Sequence, residues 1–222
     1  MDIIVEGIGK KYYTPEEVEI KMCFNTKEDS YERALSTGTK HIEVFIEKVM
    51  KEMQFDKKEL KTKNFRIIEQ TIYDPEQKKH LKDGYLYSQE SLLKFDYSIE
   101  KIADFMEKIS KLENAPRYSI TFNVKDIKQC KSEALEEAYN MAKDKAEAIA
   151  NAAGKELKEC IKIDFIPFGE SIVSSSRLNN INTMYGLESE RGIKSVQNTI
   201  QTIFTPEDVL ISETLYCLWT TN

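Results

Sequence analysis

The sequence predicts an α+β protein: antiparallel sheets with amphipathic helices packed on one face, in the order β-β-α-β-β-α-β-α-β-β. Two observations carry this prediction. The strand candidates mostly alternate apolar and polar residues, the pattern of a sheet with one solvated face, and not the near-continuous apolar runs of a parallel sheet buried on both sides. Between them lie segments whose apolar residues recur every three or four positions, the stripe of a helix lying on such a sheet.

Val18, Ile20, Met22 and Phe24 alternate with Glu17, Glu19, Lys21 and Cys23 as a half-buried strand, and Ile3 to Ile8 are expected to supply its neighbour in the sheet. Asp29, with Glu32 three residues on, resembles a capping box. Tyr31, Leu35, Gly38, Ile42, Phe45 and Val49 then mark an amphipathic helix of about six turns. Phe65 to Tyr73 and Tyr85 to Tyr97 form two long strands joined around Asp74-Pro75 and Asp83-Gly84, the turn chemistry of an antiparallel hairpin with a longer loop. Tyr85, Tyr87, Leu93, Phe95 and Tyr97 share one of its faces. Ser98 caps a helix with the stripe Ile99, Ile102, Met106 and Ile109. Tyr118, Ile120, Phe122 and Val124 then alternate with Arg117, Ser119, Thr121 and Asn123 as the next strand.

Asp126 opens a long helix that stops near Gly154, with Leu135, Ala138, Ala142, Ala146, Ile149 and Ala153 on one side. Alanines there let the helix approach a sheet or another helix closely. Leu157, Ile161, Ile163 and Phe165 make a further strand, and Val209 to Trp219 the last. Residues 169–205, rich in Ser, Asn and Gly, are expected to form a long flexible loop that proteases cut first. At 222 residues the chain is one domain, 1–222, or two intimate subdomains.

Composition narrows function. Hydrophobic residues make up 41% and charged residues 32%, enough apolar side chains for a core. The net charge is −6 with both signs interleaved, so no basic stripe exists to neutralise phosphates, and nucleic acid is not an expected partner. No run approaches the roughly 18 to 20 apolar residues that span a bilayer, so membrane insertion is not expected. The start lacks a basic n-region and a long apolar run. With Met1 as the native start, the expected location is the cytoplasm. Cys23, Cys130, Cys160 and Cys217 lie far apart with no C-x-x-C pair, and are expected to be reduced and mostly shielded.

No catalytic constellation emerges. Gly7-Ile8-Gly9 lacks the third glycine of a dinucleotide fingerprint and leads into Lys10-Lys11-Tyr12-Tyr13; in a strand such glycines mark a bulge or a close backbone approach. His41 and His80 are too few and too far apart for a His-rich metal site. Glu133, Glu136 and Glu137 with Lys143, Asp144 and Lys145 read as the solvated face of a helix. No cofactor, metal or catalytic residue is therefore assigned.

The order and spacing of several pieces resemble the SIMPL-domain family, a bacterial group that includes periplasmic immunogenic and oxidative-stress-defence proteins. These pieces are Ile4-Val5-Glu6-Gly7-Ile8-Gly9 with Pro15-Glu16, Gly84-Tyr85, Phe122 to Asp126 leading into Glu133-Ala134-Leu135, Lys145 to Leu157, and Thr205-Pro206-Glu207-Asp208-Val209. The chain departs from the pattern in lacking an export signal and in carrying Gln54 and Asn114 where turn glycines are expected. The resemblance implies the same α+β fold, a stress-related setting and, as in some members, a large ring-like or channel-like homo-oligomer without established catalytic residues.

In the last strand, Val209, Ile211, Leu215, Cys217 and Trp219 share one face, while Leu210, Tyr216 and Leu218 share the other. One helix layer covers one face only, so a second copy is expected to cover the other. The expected interface is this strand, or Tyr85 to Tyr97 expected as its neighbour, with Tyr85, Tyr87, Leu210, Tyr216 and Leu218 as its residues. The expected function is a non-catalytic homo-oligomeric scaffold or binding protein. The alternatives are an enzyme with an unrecognised carboxylate- or cysteine-based site, or a small-ligand carrier inside an oligomeric ring.

Overall fold

A computed structural model describes residues 1–168, 184–185 and 205–222. The strand and helix order follows the sequence expectation except for one short strand that was not expected, β7: β1 (Asp2–Tyr13), β2 (Glu17–Glu28), α1 (Tyr31–Phe45), β3 (Lys61–Asp74), β4 (Lys79–Asp96), α2 (Ile99–Ser110), β5 (Arg117–Asn123), α3 (Ile127–Ala152), β6 (Leu157–Asp164), the two-residue β7 (Met184–Tyr185) and β8 (Val209–Thr221). The strands form two antiparallel sheets, ordered β1-β8-β6 and β3-β4-β2-β5-β7. The chain divides into two compact units: Met1–Pro15, Val124–Asn180 and Glu207–Asn222 form one, and Glu16–Asn123 with Ile181–Pro206 the other. Apart from Met184–Tyr185 and Thr205, the loop expected over 169–205 lies outside the described residues.

In the first unit the two ends of the chain meet. β1 pairs with β8 along its whole length, from Asp2 opposite Thr220 to Tyr13 opposite Val209, and not with β2 as expected, since β2 lies in the other sheet between β4 and β5. Asp126 caps α3 by accepting a hydrogen bond from the Gln129 amide at 2.9 Å. Asp126→Ala should lower stability by about 1 kcal/mol in a denaturant titration. At the far end Gly154 adopts φ +69°, the left-handed stop expected of it.

The buried stripe of α3 is Cys130, Ala134, Ala138, Ala142, Ala146 and Ala150, spaced every four residues. This corrects the expected face, since Ile149 is 46% exposed. A step of four residues advances about 40° around the axis, so the contact line winds as α3 crosses the twisted β1-β8 pair. Gly7 and Gly9 lie directly beneath it, where an added Cβ would meet the carbonyls of Ala138 and Ala134. Ile3, Val5, Leu215, Cys217 and Trp219 complete this core.

In the second unit, Val18, Ile20, Met22 and Phe24 of β2, Leu93 and Phe95 of β4 and Ile120 of β5 meet Phe45, Val49, Ile102, Phe105 and Ile109 from the helical side. α1 is capped by Ser30, whose Oγ accepts from the Arg33 amide. The expected cap Asp29 instead pairs with the Arg33 guanidinium at 2.7 Å. After Phe45 the helix widens into a π turn over Ile46–Met50, and Gln54 takes φ +62°, the left-handed position for which a glycine was expected.

The hairpin also differs from expectation in its turn. β3 and β4 pair as far as Asp74 opposite Lys79, so only residues 75–78 turn, with the Asp74 carboxylate accepting the Glu76 and Gln77 amides. Asp83-Gly84 lies inside β4 as an irregularity where the register shifts between Glu69 and Thr71, and Gly84 relaxes it with φ +89°.

Candidate functional site

Leu210, Tyr216 and Leu218 do share the side of the β1-β8-β6 sheet away from α3. Opposite them in register stand Tyr12, Glu6 and Ile4 of β1. Ile4 is 58% exposed, Tyr12 65% and Leu210 48%; Ile8, Tyr216 and Leu218 are half-buried. The Tyr216 hydroxyl donates to Glu6 Oε1 at 2.8 Å, holding the ring down on the sheet. The result is two apolar groups on this face, Ile4 with Tyr216 and Leu218 towards one end and Tyr12 with Leu210 at the other, with Ile8 and the polar residues Lys10, Ser212 and Thr214 between them. The outward side of β2 differs: Lys94 joins Glu17 at 2.7 Å and Glu19 at 3.1 Å, and Lys21 reaches Glu19 at 3.5 Å. The hydrogen bond that Lys94 donates to Glu17, then the one it donates to Glu19, raises the Lys94 pKa.

Tyr85 and Tyr87 lie elsewhere. The strand expected beside the last strand is β4, which pairs with β2 and β3, while β8 lies between β1 and β6. Tyr87 is 1% exposed, with its ring against Gly38 of α1 and edge-on to Phe65 at 5.3 Å. Its hydroxyl donates to Gln89 Oε1 at 2.8 Å. That ring is committed to its own chain because α1 has no side chain at Gly38 to exclude it. Tyr85 is half-buried, edge-on to Tyr31 at 6.1 Å and under the Lys82 ammonium at 4.2 Å.

The side chains weighed for chemistry are placed as follows. His41 Nδ1 is 2.9 Å from the Thr26 hydroxyl, and the His80 ring packs on Tyr73 at 5.3 Å. Among the described residues no group of three or more His, Cys, Asp or Glu is arranged to hold a metal ion. Glu133 accepts the Tyr13 hydroxyl at 2.8 Å and the Gln129 amide at 3.1 Å. These bonds, Tyr13's first, hold its carboxyl below the usual range, while burial and then Glu133 push Tyr13 up. Lys145 donates to the Glu6 carbonyl at 2.9 Å and Lys143 faces Glu147 at 3.8 Å, so these charges dock and flank α3.

A broad, open depression of about 670 Å³ is lined by Lys27, Glu28, Asp29, Arg33, Lys82, Asp83 and Gly84. Its cations are matched by carboxylates: Lys27 by Asp83, Arg33 by Asp29, and Lys82 by Glu69 at 3.3 Å. One arrangement escaped the sequence reading. Cys160 of β6 and Cys217 of β8 are side-chain neighbours; both lay on expected strands, but nothing in the sequence says that those two strands pair.

These features define an α+β protein of two antiparallel sheets, each with helix on one face, and with exposed apolar residues on the face of the smaller sheet away from α3. The chain belongs to the SIMPL family, described as "Protein of unknown function (DUF541)", whose model matches residues 3–210. No curated protein matches the chain as a relative. Among the described residues no helix is long and apolar enough to cross a membrane.

Proposed function

We propose that this protein is a non-catalytic scaffold or binding protein that works as a homo-oligomer, with the open face of β1 and β8 as its contact surface. The observation that supports this reading is that Ile4, Tyr12 and Leu210 are exposed on the same face of two paired strands as the half-buried Tyr216 and Leu218. Large apolar side chains gathered exposed on one sheet face, rimmed by polar residues, mark a contact surface. A second copy meeting the same face about a two-fold axis would bury it on both partners at once.

Light scattering coupled to size exclusion, at micromolar concentration, is expected to give a mass of at least a dimer. A Tyr216→Lys/Leu218→Lys double variant places two charges on that face and should shift the protein towards monomer by tenfold or more in dissociation constant. A monomeric wild type would sink the reading, and unchanged assembly of the double variant would remove this face from it.

A further inference from the structure

β6 and β8 run antiparallel, with Cys160 opposite Trp219 and Cys217 opposite Ile163. The register shifts on both sides of Cys160, and its side chain packs against the cluster that holds Leu215, Cys217 and Trp219. Cys160 and Cys217 are thus diagonal neighbours on one face of the sheet, with thiols in direct side-chain interaction. At rest both are free thiols. Their surroundings are unequal. Cys217 is fully buried, while Cys160 is half-exposed near the edge of the unit, its Sγ 3.5 Å from the Lys162 carbonyl.

We propose that Cys160 and Cys217 form a reversible cross-strand disulfide, with Cys160 meeting a hydroperoxide and Cys217 resolving the product. The Cys160 thiolate attacks one peroxide oxygen. The O–O bond breaks, the leaving oxygen takes a proton, and a sulfenic acid remains on Cys160. Cys217, as thiolate, then attacks that sulfur; the S–S bond forms, and hydroxide departs with the proton Cys217 gave up, as water. The peroxide gains two electrons and the two thiols lose two, and a dithiol reverses the change by exchange.

The buried partner sets the pace. Burial, then the Cys160 thiol, pushes Cys217 up to about 11, so the attacking thiolate is scarce near neutrality and closure should be faster at about pH 9 than at about pH 7. The link would close a loop from residue 160 to residue 217 and so restrict the unfolded chain. Cys23 and Cys130 serve as controls: Cys23 Sγ lies against Asn25 on β2, and Cys130 occupies the start of α3 beside Tyr13.

The test uses the reduced full-length chain treated with hydrogen peroxide. Its mass should fall by two hydrogens, and peptide mapping should join residues 160 and 217. Trp219, the single tryptophan, sits opposite Cys160 and should lose fluorescence, because a disulfide quenches an adjacent indole. Dithiothreitol should restore both readings. Cys160→Ser should abolish the link, and Cys217→Ala should leave a sulfenic acid that dimedone traps. A Cys23→Ser/Cys130→Ser variant, which keeps the pair intact, should close as the wild type does. Sulfinic acid at Cys160 beside a free Cys217 would overturn the proposal. So would a link through Cys23 or Cys130, or no loss of thiol under excess peroxide.

Discussion

Gly9→Val is expected to destabilise the protein by about 3 kcal/mol or more, at the upper end of what overpacking costs, because the added atoms have nowhere to go. A Cβ at Gly9 would fall on the Ala134 carbonyl and lie 2.8 Å from the Ala138 amide nitrogen. One at Gly7 would fall on the Ala138 carbonyl and 2.9 Å from the Ala142 Cβ. These obstacles are mostly backbone, so relief requires lifting α3 off β1. Lifting it would open the core formed by Ala138, Ala142, Ala146, Leu215 and Trp219. Trp219 fluorescence during a urea titration reports on that core directly, with the Tyr139 ring of α3 packed at a tilt of 37°, its centroid 5.7 Å from that of the indole. Ile8→Val, at the half-buried residue between the two glycines, should change the midpoint little. A Gly9→Val loss below about 0.5 kcal/mol, the usual scale of a surface substitution, would show that α3 does not rest on β1.

The same contact shows what could be read in advance. The glycines of β1 and the alanines of α3 each implied close approach, because small residues in otherwise bulky patterns leave room for a neighbour. That the two sets meet each other could not be read, since β1 and α3 are distant in sequence and β1 pairs with the opposite end of the chain. Caps and stops were legible at Ser98, Asp126 and Gly154 because a few adjacent residues decide them. The cap of α1 slipped from Asp29 to Ser30 because both side chains suit the position and only one has its oxygen over the Arg33 amide. Alternation correctly separated Leu210, Tyr216 and Leu218 from Ile211, Leu215 and Cys217. It also put Tyr87 on one face with Leu93 and Phe95, all three buried, but that the Tyr87 ring fills the space Gly38 leaves on α1 is a tertiary fact that alternation does not carry.

Phe45→Ala is the second large effect, at about 3 to 5 kcal/mol, the cost of emptying an aromatic site in a packed core. Phe45 has no exposed surface and makes edge contacts with Phe24 at 5.4 Å and Phe105 at 6.4 Å. Its loss takes one ring from between two others, and α1 cannot collapse into the gap freely, because Gly38 of the same helix already rests on Tyr87. The damage should also be local. The cluster around Phe45 draws on β2, β4, β5, α1 and α2, and shares no residue with the clusters that bury α3 against β1 and β8. Native-state amide exchange should therefore quicken in β2 and α2 of the variant well before it does in α3 and β8. The two units would then be separable in stability although the chain passes from one to the other and back. Equal loss of protection in both would show instead that they unfold as one cooperative body, and the sequence expectation of a single domain would be the better description.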